Sequence, residues 1–175
     1  MEKVTHEFAP VYDENSRVLI LGTFPSVKSR EENFYYGHKQ NRFWKVIAGL
    51  VRWNVPVTIE EKRRMLLANG IAVWDVIASC EIEGSSDSSI RNVTANDIAG
   101  LLEKSRDLAA VNGRSDGGIK QIYANGDKAF QLYRRYCQES TGAEAVRLPS
   151  TSPANAAWTL EKLMDSWRVI CDETI

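Results

Sequence analysis

Four short apolar runs, Val18–Gly22, Ile71–Ile77, Ile119–Ala124 and Ala145–Leu148, are separated by stretches with helical spacing of apolar residues. Strands that alternate with helices pair in parallel, because each crossover carries the chain back to the same end of the sheet. The spacing predicts helices over Arg42–Val51, Ile59–Asn69, Asn96–Lys104, Lys128–Glu139 and Ala154–Ser166. The expected fold class is therefore α/β, a three-layer α/β/α arrangement around a central four-stranded parallel sheet. Gly70 stands where a helix would stop, Asp127 follows the Asn125-Gly126 turn as an N-cap, and Ser152-Pro153 reads as a cap followed by proline at the first helical position. The polar, Gly-rich segment Val111–Gly118 reads as a mobile surface loop.

With 175 residues, 43% of them hydrophobic, the chain can bury one core without disulfides or metal. No repeat or linker divides it, so residues 1–175 are expected to form a single domain. Cys80, Cys137 and Cys171 lack the paired spacing of a zinc or iron–sulfur site and are expected to be reduced. The N-terminal MEKVTHEFAP has no apolar core of signal-peptide length, and no stretch approaches the roughly 20 apolar residues of a membrane span. A cytoplasmic protein is the expectation. The net charge of −1, from 22 basic and 23 acidic residues, argues against a nucleic-acid coat protein. It leaves room for an enzyme that meets a few phosphates locally, since Lys28, Arg30, Lys39, Arg42 and Lys45 cluster around one loop. Offset by Glu31 and Glu32, the same residues also read as a solvated charged edge.

That loop follows the first strand. Between Gly22 and the helix at Arg42 it carries Pro25, several aromatics, His38, Gln40 and Asn41, near the end of a strand where open parallel sheets bind their ligands. Other strand ends supply Asp75, Ser85 to Ser89, Asn125 and Pro149 to Asn155, which could converge on one crevice. There is no GxxxxGKS run and no GxGxxG after the first strand, so nucleotide triphosphates and dinucleotides lose support. His6 and His38 are the only histidines, and a nucleophilic triad around His38 lacks a visible partner set.

Taken in order, GTFPS, GHKQNRFWKVI, GIAVWDVI, GSSDSSI, IYANGDKA and LPSTSPANA resemble the uracil-DNA glycosylase superfamily across nearly the whole chain. The nearest resemblance is to its DNA-deoxyinosine, or hypoxanthine-DNA, glycosylase branch. It implies a base-excision enzyme with no cofactor and no metal, acting on DNA that contains deaminated bases, and a monomer. One departure matters. Mismatch-specific members carry Asn two residues after the first Gly of a GxNPG motif, where this chain has Phe24. The resemblance moves the catalytic role to Asn41, whose amide would orient the attacking water through its carbonyl oxygen. A plain helix cap at Asn41 is the competing reading.

The same resemblance implies base-binding roles for Phe24, Tyr36, His38, Asp75 and Asn125. Phe24, with Tyr35 and Tyr36, offers ring platforms for a base turned out of the duplex. Phe24 also reads as a core ring, Asn125 as half of a tight Asn-Gly turn, His38 as a packing residue, and Asp75 as an N1–H acceptor or an ion-pair member. Expected DNA contacts are Ser26, Ser85, Ser150, Thr151 and Ser152; relatives often carry His in the last motif, and this chain does not. No lysine is placed for Schiff-base chemistry. The implied reaction is monofunctional excision of hypoxanthine, with uracil, xanthine or mismatched thymine as alternative bases. A non-catalytic binder of damaged DNA and a flavodoxin-like small-ligand protein are readings of other classes.

Overall fold

The computed structural model describes residues 2–6 and 8–174. In chain order the elements are β1 (Glu2–Thr5), β2 (Val18–Gly22), α1 (Val27–Glu32), α2 (Phe43–Val51), α3 (Ile59–Ala68), β3 (Ile71–Asp75), β4 (Ile77–Ile82), β5 (Arg91–Ala95) and α4 (Ile98–Val111). They continue with β6 (Gln121–Asn125), α5 (Asp127–Tyr136), α6 (Gln138–Thr141), β7 (Ala145–Leu148), α7 (Leu160–Trp167) and α8 (Cys171–Thr174).

Strand β2 explains the layers. Val18, Leu19, Ile20 and Leu21 are all fully buried, which a strand achieves only when both faces of its sheet are covered. Because side chains alternate, Val18 and Ile20 join one core with residues of α2, α3 and α7, while Leu19 and Leu21 join another with residues of α4 and α5. Each such side chain contributes about 1.5–3 kcal/mol through burial. The parallel sheet runs in the order β3-β2-β6-β7, and its register sets Gly22 opposite Asp75 and Asn125 opposite Leu148. The expected α/β/α sandwich with four parallel strands is therefore present. No helix among the described residues is long and apolar enough to cross a membrane.

A second sheet was not foreseen. The expected strand Ile71–Ile77 is two strands: the chain leaves the parallel sheet after Asp75 and pairs antiparallel as β4 with β1 and β5. The bend is held by backbone and side chain together. Val76 N–H donates to Gly22 O at 2.9 Å, and Asn96 Nδ2 donates to the carbonyls of Asp75 at 2.9 Å and Ile77 at 3.2 Å. A continuous apolar run hides such a switch, since buried residues are needed on both sides of it.

Helix ends also differ from the expected ones. Gly70, at φ +71°, does follow the end of α3. The Asn125-Gly126 turn delivers Gly126 to the cap position, so Asp127 is instead the first residue of α5. Ser152-Pro153 starts a turn rather than a helix, and Thr159 caps α7 by accepting from Lys162 N–H at 3.2 Å. Thr159 is an ordinary N-cap residue. The earlier Ser-Pro pair has the same chemistry, and the difference is tertiary: Arg42 spans this segment and donates to the carbonyls of Ser152, Asn155 and Trp158, acceptors that a helix would have used internally. Helix α4 runs to Val111, seven residues beyond the expected end, and absorbs the beginning of the Gly-rich segment.

Candidate active site

The carboxyl ends of the parallel strands open into a cleft of about 530 Å³, lined by Gly22 to Ser26, Tyr35, Tyr36, His38, Asn41, Asp75, Asn125 and Ser150 to Ala154, with Ser85 to Ser88 along one side. The volume falls within the usual range for small-molecule sites. All the expected site residues line it: Phe24, Tyr36, His38, Asn41, Asp75, Asn125, Ser26, Ser85, Ser150, Thr151 and Ser152.

One wall is an amide–hydroxyl chain. Asn125 grips Thr151 twice, accepting from its backbone N–H at 3.0 Å and donating from Nδ2 to its hydroxyl at 3.0 Å. The Thr151 hydroxyl then donates to Asn41 Oδ1 at 2.8 Å, and the same oxygen accepts from Phe43 N–H at 3.0 Å. Helix α2 starts at Phe43 with Arg42 in the cap position, so Asn41 stands one residue before the cap, where its oxygen closes a turn onto Phe43 N–H while the side chain faces the cleft. Both lone-pair directions of Oδ1, the atom expected to hold water, are directed at protein donors. Nδ2 is the amide group with no protein partner among the described residues. Arg42 locks the wall from behind, since its N–H donates to Thr151 O at 3.0 Å while its guanidinium holds three carbonyls of the same loop. The expected basic edge therefore loses Arg42 to an internal staple.

The serines divide by what their hydroxyls do. Thr151 is fully buried and its hydroxyl both donates and accepts within the protein, which removes it as a direct phosphate contact. Ser150 and Ser152 accept from backbone N–H groups two residues on, at 3.1 and 3.2 Å, which leaves each hydroxyl proton to be given outward. Ser85 accepts from Val27 N–H at 2.9 Å and ties its loop to α1. Ser26 is the N-cap of α1, accepting from Ser29 N–H at 3.1 Å and donating to Ser29 Oγ at 3.0 Å. His38 is exposed at the rim, its Nδ1 accepting from Gln40 N–H at 3.1 Å.

The floor contains a residue that sequence reasoning passed over. His6 Nε2 lies 2.8 Å from Asp75 Oδ2, with the two side chains 1% and 5% exposed. An ionised carboxylate only accepts, so the ring nitrogen facing it carries the proton. Strand β1 and the hydrogen bond from His6 N–H to Ala78 O bring His6 there, and the rings of Phe8, Phe24 and Tyr35 enclose it. Phe24 meets His6 edge-on, carries Arg30 over its ring at 5.7 Å and packs partly on the core beneath, so it is a wall ring and a core ring together. Tyr36 stacks on Phe43 with centroids 4.0 Å apart and adopts a left-handed φ of +53°, a strained position for a bulky residue. Its hydroxyl is buried without a hydrogen bond, and burial, then the Asp75 carboxylate, raises its pKa well above the ordinary tyrosine value.

A family model described as the uracil DNA glycosylase superfamily matches residues 9–171. The chain belongs to that superfamily. A Methanosarcina acetivorans protein named hypoxanthine DNA glycosylase is 34% identical over 151 residues, covering 85% of this chain and 86% of the relative. A Methanosarcina barkeri protein of the same name is 31% identical over 146 residues, with 82% and 90% covered. Among solved structures, the solution structure of a candidate uracil DNA glycosylase from Methanosarcina acetivorans superposes with a TM-score of 0.74 at 32% identity and covers 94% of each chain. As a superfamily member the chain has a DNA substrate, and the cleft at the strand ends is where a flipped base would enter. The small-ligand reading by analogy to flavodoxin is set aside by the family match. Among the described residues, no group of three or more His, Cys, Asp or Glu could hold a metal ion.

Proposed function

We propose that this protein is a monofunctional DNA glycosylase that hydrolyses the N-glycosidic bond of deoxyinosine, releasing hypoxanthine and leaving an abasic site. The observation that carries this reading is Asn41 in the wall of a base-sized cleft, on a chain more than 30% identical over most of its length to two proteins named hypoxanthine DNA glycosylase. Phe24 takes the place where an amide is missing, and Asn41 supplies one from the far end of the same connection between β2 and α2.

Bond breaking leaves positive charge on the sugar and negative charge on the departing purine, so a positioned water suffices if both charges are stabilised. Asn41 Nδ2 holds that water by its oxygen, which keeps a second lone pair for the sugar carbon; as C1′ gains oxygen it loses the base nitrogen together with the bonding electrons. The water proton passes to solvent, and the base takes up a proton as it leaves. Each well-placed donor to the leaving base is worth about 3 kcal/mol of barrier. Ser150 and Ser152 contact the DNA backbone, while Thr151 acts through Asn41. No lysine is among the residues lining the cleft, in keeping with hydrolysis without strand cleavage. On this reading the protein acts as a monomer in the cytoplasm, without a cofactor.

Duplex oligonucleotides with a single deoxyinosine, uracil, xanthine or mismatched thymine, treated with alkali after incubation, test it. Deoxyinosine should give the most scission. Scission mainly at one of the others would reassign the base. Because Asn41 Oδ1 is already engaged by Phe43 N–H and the Thr151 hydroxyl, a damaged-DNA binder is the second reading; salt-dependent binding with no scission on any substrate would establish it.

A further inference from the structure

We infer that Asp75 and Tyr36 form a reader for the edge that deamination creates on a purine, and that His6 is the positioning residue that holds the reader in place. This rests on the proposed base-excision function and adds how the base is chosen.

Deamination of adenine reverses the hydrogen-bond polarity of one edge. Adenine presents an acceptor at N1 beside an amine donor at C6; hypoxanthine presents a donor, N1–H, beside an acceptor, O6. A site that selects hypoxanthine therefore needs an acceptor next to a donor. The floor offers that pair. Asp75 Oδ2 is occupied by His6 at 2.8 Å, whereas Oδ1 has no hydrogen-bond partner among the described residues. The Tyr36 hydroxyl is buried and makes no hydrogen bond of regular geometry, the Asn125 side chain being the amide beside it. Both reach the same spot, since a Cβ placed on Gly22 would sit 2.3 Å from Asp75 Oδ1 and 3.1 Å from Tyr36 Oη.

Three features show that this arrangement is held rather than incidental. A buried hydroxyl without a protein hydrogen bond is costly to keep, and such a group calls for a partner from outside the protein. Tyr36 also keeps a strained φ of +53°, with its ring fixed on Phe43 and its carbonyl accepting from Trp44 Nε1 at 3.2 Å. Finally, His6 fills one carboxylate oxygen and so dictates which oxygen remains for the base. Oδ1 accepts from N1–H, and Tyr36 donates to O6. Adenine in the same pose would set its N1 lone pair against the carboxylate and its amine against the phenol proton.

The test compares kcat/KM for duplexes carrying deoxyinosine or N1-methyldeoxyinosine, which keeps O6 but lacks the N1 proton. Wild type should favour deoxyinosine by about 10- to 100-fold, the worth of a hydrogen bond to a charged group. Asp75→Ala should bring the ratio close to one by losing activity on deoxyinosine alone. Asp75→Asn should lose at least as much, because His6 fixes the amide oxygen and turns Nδ2, a donor, toward N1–H. His6→Ala should lower the ratio about tenfold, and His6→Gln, which still donates to Asp75, should restore most of it. Tyr36→Phe removes a hydroxyl that makes no hydrogen bond of regular geometry within the protein; it should fold normally and lose about tenfold on deoxyinosine, which keeps the test decisive if the Asp75 variants do not fold. An unchanged ratio in folded Asp75 variants, or full activity in Tyr36→Phe, overturns this inference while the proposed function stands. Absence of hypoxanthine release by wild type overturns the function itself.

Discussion

The wall and the floor of the cleft handle their polar groups in opposite ways. In the wall, Asn125, Thr151 and Asn41 bond to one another, and Phe43 N–H joins the set, leaving the Asn41 amide nitrogen as the side-chain atom of the three with no protein partner among the described residues. In the floor, His6 takes one oxygen of Asp75 while the other oxygen and the Tyr36 hydroxyl make no hydrogen bond of regular geometry within the protein. A closed network fixes geometry and contributes to folding; open valences contribute nothing to folding and are kept for binding. Changes in the wall should therefore lower stability and rate together, and removal of an open floor group should lower rate without lowering stability.

The sharpest test of that contrast is Asn41→Ala, expected to lower the single-turnover excision rate by about 100-fold or more while costing about 1 kcal/mol of stability through the lost bonds to Phe43 N–H and the Thr151 hydroxyl. Denaturant melts beside single-turnover assays read both quantities, and a rate within a few-fold of wild type would move the chemistry elsewhere. Gly22→Ala probes the floor next: its Cβ would press on Asp75 Oδ1, and a displaced carboxylate should cost about 10- to 100-fold in kcat/KM with little change in melting. Thr151→Val breaks the middle of the wall. It should cost about 1–3 kcal/mol in urea unfolding and roughly tenfold in rate, because Asn41 and Asn125 both lose a partner inside the protein. Equal stability in Thr151→Val would show the wall to be less closed than its hydrogen bonds imply.

The smallest effect separates the two regions by pH. Burial raises the pKa values of Tyr35 and Tyr36, and the nearby Asp75 carboxylate adds to this. Both phenols are neutral in folded and unfolded chains below pH 10; above it the unfolded chain releases protons that the folded one retains, so folding stability falls as pH rises past 10. Each retained proton costs about 1.4 kcal/mol per pH unit there. Tyr36→Phe should flatten the loss of urea resistance between pH 9 and 11, whereas Thr151→Val should leave that slope as it is.

Much of this site was legible before any coordinates. Val18–Gly22 and Ala145–Leu148 have the expected strand bounds, and the eleven residues given site roles through the resemblance all line one cleft, while Ser89, Pro149 and Asn155 from the strand-end segments fall outside it. What escaped was decided by distant partners. His6 meets Asp75 across 69 positions, and no local pattern marks a histidine for a carboxylate that far along the chain. The Ser152-Pro153 signal is a sound local helix start that lost to Arg42, whose side chain claims the carbonyls of that segment. Thr151 resembles its serine neighbours in sequence, yet it alone is turned inward.

By itself the sequence determined the alternation of strand and helix, the layered sheet that this compels, and the superfamily whose motifs it carries in order, because periodicity and motif spacing are local properties of a chain. Tertiary structure alone decided that the oxygen of the Asn41 amide is used up and its nitrogen is not, which oxygen of Asp75 is left open, and that a histidine just beyond a strand of the second sheet stands behind it. Hydrogen-bond partners are assigned in space, and two groups compete for one lone pair only once the fold has brought them within 3 Å.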